Sequence, residues 1–220
     1  MEDNLPIKQR LYIRFGKFDA LIYTSNLDVA KTWERVLRRA ELPILYSQGF
    51  NTRPRIILAS ALPLGISSEC EILDVSMREP IPLAGVAERI QATSPAGLRI
   101  FEVYEVPVRS GTLPTRVRSS EYRIHFEDGI EVSDLQARID KLIGSDTMFK
   151  TKEVKGKPVN INIRPLVYDL HIDEKGDLIA HLTVGDRGNV RPDEILTEMG
   201  LADAVVSIHR FKLYIDPNPT

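Results

Sequence analysis

The sequence predicts an α+β protein of two tandem βαββαβ units, each an antiparallel sheet carrying two helices on one face. Three observations lead there. Apolar runs of period two and of period 3.6 follow one another in the same order twice along the chain. A Gly-, Pro- and Ser-bearing stretch with few apolar residues, RSGTLPTRVRSS at 109–120, separates the two series. The length of 220 residues suits two small domains.

In the first series, RLYIRF at 10–15 alternates Leu11, Ile13 and Phe15 with Arg10, Tyr12 and Arg14, the pattern of a half-buried strand. Ser25, Asn26 or Asp28 can cap the next element. Leu27, Ala30, Trp33, Val36, Leu37 and Ala40 recur at helical spacing, so 27–40 is predicted as an amphipathic helix ended by Pro43. Residues 44–47 and 55–60 read as strands around a turn at Gly49 and Pro54. CEILDVSMR at 70–78 is a further strand. Leu83, Val86 and Ile90 predict a helix over 81–93, closed by Pro95 and Gly97, and LRIFEVYEVPV at 98–108 is the last strand.

The second series begins with the strand EYRIHF at 121–126. Val132, Leu135, Ile139, Leu142 and Ile143 form a helical face that stops at Gly144. Strands follow at 147–154, 160–172 and 177–184, separated by KGKP and by the turn DEKGD at 173–177. Pro192 and Gly200 bound a helix over 191–200, and AVVSIHRFKLYI at 204–215 closes the chain as a strand. Strand, helix, strand pair, helix, strand is the ferredoxin-like order. The predicted organisation is a ferredoxin-like unit at 1–108, a linker at 109–120 and a second ferredoxin-like unit at 121–220.

Composition excludes several classes. With 43% hydrophobic and 27% charged residues the chain is of ordinary globular type rather than disordered. The single cysteine, Cys70, gives this chain no disulfide framework, thiolate zinc site or iron–sulfur cluster of its own. No apolar run approaches the ~18–20 residues of a membrane span, and MEDNLPIKQR has no apolar signal core. The expectation is a soluble cytoplasmic protein with no membrane partner.

The net charge of −2 exerts no global pull towards polyanions. Residues 1–116 hold 15 Lys/Arg against 13 Asp/Glu, and residues 117–220 hold 14 against 18. Within the first half, Lys31, Arg35, Arg38, Arg39, Arg53 and Arg55 face only Glu34 and Glu41 across 31–55. That segment is a solvated helix face or a local basic patch for an anionic partner.

Catalytic signals are sparse. His125, His171, His181 and His209 all fall in strand patterns, without a partner at metal-ligand spacing. Cys70 lies between Glu69 and Glu71, which would raise its thiol pKa. Those two glutamates, two apart on a strand, share a face and read as solvated more than catalytic. There is no GxGxxG, GxxxxGK[ST] or GxSxG; VGDRGN at 184–189 reads as a turn. Tyr12, Tyr46, Phe50 and Tyr104 offer stacking surfaces or serve as sheet and core aromatics.

The block LPILYSQGFNTRPRIILASALPLGISSECEILDV at 42–75, with RLYIRFGKFDALIYTSNLDVAKTWERVLRRA before it, resembles the radical-SAM-linked protein family. That pattern runs through an S-H-L-D turn, L-R-R-A-x-L-P, Y-S-Q-G-F-N/H-P-R-P and P-L-P-L-G. INIRPLVYDL and NVRPDEIL are similar to its C-terminal half. The chain departs at Asn26, which replaces the histidine, and at Thr52, which replaces the first proline of N-P-R-P. The resemblance implies an accessory role beside a radical SAM protein. The iron–sulfur cluster and S-adenosylmethionine would be expected only in that partner, this chain holding no cofactor or metal. It also hints at ribosomal or transfer RNA.

The residues of 46–55 give this a physical form. Gly49 suggests a backbone position with positive φ or close approach. Arg53 and Arg55, if extended, share a face, and with Gln48 and Asn51 make a donor-rich loop suited to phosphate or carboxylate. The alternative is a hairpin whose arginines pair with Asp28, Glu69 or Asp74. Arg164–Pro165 and Arg191–Pro192 are expected to aim their arginines outward. The leading reading is a non-catalytic RNA-binding or substrate-presenting module. Arg38, Arg39, Arg53 and Arg55 would meet phosphate, and Tyr46, Gln48, Phe50 and Asn51 bases or the partner. A protein-interaction adaptor and a metal-independent RNA-processing enzyme, acting through Tyr23, Tyr46 or a histidine, are the alternatives.

Overall fold

A computed structural model of the chain describes residues 6–48, 50–127, 130–154, 157–185 and 188–217. It divides into unit 1, Met1–Val117 with Asp216–Thr220, and unit 2, Arg118–Ile215.

Alternation in β1 (Gln9–Lys17) buries Leu11, Ile13 and Phe15 completely or nearly so. Ser25 then starts α1 (Asn26–Arg39): its hydroxyl accepts from the Asp28 N–H at 3.1 Å and donates to the Asp28 carboxylate at 2.7 Å. Val29, Trp33, Val36 and Leu37 form the buried stripe of α1, and Trp33 packs edge-on against Phe15 at 4.9 Å. Leu27, counted with that stripe in the sequence pattern, is 74% exposed. It lies two residues, roughly 200°, from Val29 and so faces away.

The strand pair expected at 44–47 and 55–60 reduces to isolated bridges, Ile44 to Met77 and Tyr46 to Pro54, and to a short β2 (Ile56–Leu58). Pro43 and Pro54 lack the N–H that a longer ladder needs. β3 (Ile66–Met77) begins four residues earlier than the pattern suggests. α2 (Val86–Thr93) begins later than 81, because Pro82 and the left-handed Gly85 (φ 74°) defer it. β4 (Leu98–Val106) ends before Pro107. The strands are antiparallel in the order β4-β1-β3, with β2 paired on β3.

Residues 109–120, read as a linker, contain a short helix α3 (Leu113–Arg116) and the first residues of β5 (Val117–Phe126). The start of this stretch is fastened to unit 1. Arg10 is held by Asp74 at 2.9 and 2.5 Å and donates to the carbonyls of Ser110 at 2.5 Å and Gly111 at 3.2 Å. Arg116 donates to the Tyr12 hydroxyl at 3.1 Å and to the Asp216 carbonyl at 3.0 and 2.5 Å.

In unit 2, β5 is followed by α4 (Val132–Ile143), β6 (Phe149–Val154), β7 (Lys157–Asn162), β8 (Val167–Ile172), β9 (Leu178–Thr183), α5 (Pro192–Met199) and β10 (Val205–Ile215). The main sheet runs β10-β5-β9-β8, and among the described residues β6 pairs only with β7. Tyr122, Ile124, Leu135, Ile139, Leu178, Leu182, Ile195 and Leu196 are buried. The single strand expected over 160–172 is broken by a 3₁₀ turn at Arg164–Leu166. The expected outward aim of Arg164 is also corrected. It donates to the carbonyls of Leu142 (3.2 Å) and Ile143 (2.8 Å), which end α4, and of Val167 (3.1 Å). A cation there satisfies carbonyls that have no intrahelical partner.

Candidate nucleic-acid interface

Residues 45–55 of unit 1 form a loop tied at its base to β3. Leu45 N–H donates to Ser76 O at 2.8 Å, Arg55 N–H to Leu45 O at 2.8 Å, and Ser76 N–H to Arg55 O at 3.0 Å. One step further out, Ser47 N–H donates to Arg53 O at 2.8 Å and Arg53 N–H to the Ser47 hydroxyl at 2.9 Å. These bonds satisfy the legs and leave the tip outside them. Gly49, read as a special backbone position, lies outside the described residues.

The eight site residues fall into three sets. Gln48, Phe50, Asn51 and Arg53 are exposed around the tip, and Phe50 reaches 115% exposure, without cover from any neighbour. Arg38 and Arg39 are exposed on the last turn of α1, where cations also oppose the negative helix end. Tyr46 and Arg55 are half-buried: Tyr46 packs on the apolar core, and the backbone of Arg55 is used in both directions. Arg53 and Arg55 therefore differ in exposure.

Two of the carboxylates considered as partners for the loop arginines are committed elsewhere. Asp28 faces Lys31 at 3.5 Å, and the Ser25 hydroxyl, chiefly, holds its carboxyl below the usual range. Asp74 is held by Arg10. Among the described residues Arg38, Arg39 and Arg53 form no ion pair. Removing them from water would need an anion brought by a partner.

Glu69 is exposed while Glu71 is buried against the Ser68 hydroxyl at 2.6 Å, so the two do not work as a facing pair. A register irregularity in β1 between Phe15 and Lys17, opposite this part of β3, accounts for the lost alternation. In VGDRGN, Gly185 and Gly188 have φ of 113° and 145°, with Gly188 N–H returning to Gly185 O at 3.3 Å; Asp186 and Arg187 lie outside the described residues. Arg191 extends before Pro192 but turns onto Asp193 at 2.9 Å. His125 meets Asp177 and His171 meets Asp169, each at 2.7 Å, and His181 meets the Ser119 hydroxyl at 2.8 Å. Among the described residues no three His, Cys, Asp or Glu side chains are grouped to hold a metal.

The polar interior around Lys17 was not anticipated from the sequence. Lys17 is 2% exposed, and its ammonium donates to the carbonyls of Thr24 at 2.9 Å and Ile22 at 3.3 Å. With Asn26, Ser60 and Glu71 it lines a cavity of about 10 Å³, the size of one water. The signal was present: Lys17 continues the Leu11, Ile13, Phe15 series of a core-facing strand.

Fold and site define an α+β chain of antiparallel sheets that displays an aromatic, donor-rich loop. The chain belongs to the family described as "Uncharacterized protein conserved in bacteria (DUF2344)", whose model matches residues 10–192. That description names no radical SAM partner. No curated protein matches the chain. Among solved structures, a chain of the "Crystal Structure of a Cbf5-Nop10-Gar1 Complex" aligns at 12% identity with a TM-score of 0.43, over 94% of this chain and 50% of that one. This chain thus spans about half of that chain's length, and the likeness is too loose to carry function across.

Proposed function

We propose that this protein is a non-catalytic RNA-binding module of two tandem ferredoxin-like units, presenting ribosomal or transfer RNA to a radical SAM partner. The observation that carries the RNA reading is Phe50, a fully exposed ring at the tip of a tied loop, flanked by Gln48, Asn51 and Arg53. An unpaired base stacked on such a ring contributes about 1–3 kcal/mol, and a nearby guanidinium can meet its phosphate. Arg38 and Arg39 supply further cations. The radical SAM partner, with its iron–sulfur cluster and S-adenosylmethionine, rests on the sequence resemblance alone.

Filter binding of single-stranded RNA across a salt titration tests this. Phe50→Ala should weaken binding about 5- to 150-fold. Replacing Arg38, Arg39 and Arg53 with alanine should flatten the log–log salt slope by about 2, at ~0.7 per lost phosphate contact. An absence of binding at low salt, or two variants that match the wild type, would refute it. The same exposure of Phe50 also suits an adaptor loop inserted into a protein pocket. A complex that survives ribonuclease and is lost with Phe50→Ala would establish that reading instead.

A further inference from the structure

We infer that the β6–β7 ribbon of unit 2 is a second RNA-binding element, one that grips duplex RNA through its phosphates. The choice of RNA over DNA rests on the function proposed above; the nucleic-acid contact itself rests on the ribbon. β6 and β7 form six antiparallel pairs, from Phe149 with Asn162 to Val154 with Lys157, and neither strand joins the main sheet. At ~3.4 Å per residue the ribbon is roughly 20 Å long.

Its charge is opposite to that of its surroundings. Residues 149–162 carry four lysines (150, 152, 155 and 157) against Glu153, a net of +3. The rest of 117–220 carries ten cations against seventeen anions, a net of −7. An acidic unit whose sequence gathers four lysines between 149 and 162 is arranged for a local polyanion. At the ribbon's base, Lys150 is ion-paired with Glu194 of α5, which anchors it, while Lys157 is exposed.

The apolar side chains agree. Phe149, Val159 and Ile161 are 61%, 41% and 38% exposed. A lone two-stranded ribbon is marginal in water, and covering such a surface would stabilise it. Phe149 is its one aromatic residue, so a row of stacked bases is not the occupant the ribbon fits. Lysines with short aliphatic and amide side chains, Asn160 among them, suit the phosphates and 2′-hydroxyls along a shallow minor groove.

The test uses the full chain, a 16-base-pair RNA duplex, and a potassium chloride titration by filter binding. Lys152→Gln with Lys157→Gln should flatten the log–log salt slope by about 1.8, at ~0.9 per duplex phosphate contact. Lys150 is kept so that the anchor to α5 stays, and an unchanged urea midpoint reports an intact fold. An unaltered slope, or no duplex binding by the wild type at 50 mM salt, would overturn the ribbon's role. Equal affinity for the DNA duplex of the same sequence would overturn the RNA assignment. Duplex binding without single-strand binding would leave the ribbon standing and sink the loop reading; the converse pattern would do the reverse.

Discussion

Removing the Asp74 carboxylate should cost unit 1 about 3 kcal/mol. The side chains of Arg10 and Asp74 are only 8% and 3% exposed, and they meet through three charge-assisted contacts at 2.9, 3.1 and 2.5 Å. Asp74→Ala would leave a guanidinium buried with no anion, a change that typically costs about 3–5 kcal/mol. The lower end applies here because the carbonyls of Ser110 and Gly111 still accept from Arg10. The pair's own net worth is a separate quantity. Replacing both partners, Arg10→Met with Asp74→Leu, removes the two desolvation penalties together and should cost less than Asp74→Ala alone. It would also release residues 110 and 111 from the sheet. Urea denaturation followed by far-ultraviolet circular dichroism measures both variants. An Asp74→Ala loss under 1 kcal/mol would refute the reasoning, since Arg10 would then be reaching water. A double variant worse than the single would show that the backbone anchor, not the ion pair, is the main contribution.

Two further outcomes follow from a buried ring, Trp33, and a half-buried one, His181. Trp33, the one tryptophan, is fully buried, and among the described residues its indole N–H has no acceptor. Trp33→Phe therefore forfeits no hydrogen bond and should cost less than about 1.5 kcal/mol, whereas Trp33→Ala should cost about 3–5 kcal/mol, both read from urea midpoints. Burial, above all, pushes the pKa of His181 down, with Lys212 adding to it against the opposing pull of Glu121 and Asp169. Below the unfolded value of about 6.5 the unfolded chain then takes up a proton that the folded ring resists. Stability should fall as the pH drops from 7.5 to 5.5, and less steeply in His181→Asn; parallel urea-midpoint curves for the two proteins would rule this out.

Elements whose evidence is local were legible in the sequence. Helix α4 matches the predicted span because its apolar residues repeat at helical spacing up to Gly144. β1 and α1 follow from alternation and from the Ser25 cap. Elements defined by distant partners were not. A run such as 160–172 looks continuous until Arg164 is seen to turn onto the end of α4. The same limit applies to the site. The residue types of the loop were readable, but whether Phe50 was core or tip depended on the Ser47–Arg53 bonds that close the loop beneath it.

Arginine is where the pattern misleads most, and the reason bears on function. Arg10, Arg89, Arg116, Arg138 and Arg164 all donate to backbone carbonyls of turns, helix ends or neighbouring segments. A guanidinium does this well because its planar fork satisfies several carbonyls at once. Such an arginine is committed to the fold, and its charge is not available to a phosphate. A tally of cations along the sequence therefore overstates the capacity for a polyanion, and net charge understates it where cations are segregated. What counts is the subset that the fold leaves exposed. In unit 1 that subset includes Arg38 and Arg39 on the last turn of α1 and Arg53 in the loop that carries the bare ring of Phe50; in unit 2 it includes Lys157 of a ribbon that is basic within an acidic unit. The two sets differ in chemistry, one with a ring for an unpaired base and one without a stacking row. For that reason single-stranded and duplex RNA should separate them where a single affinity would not.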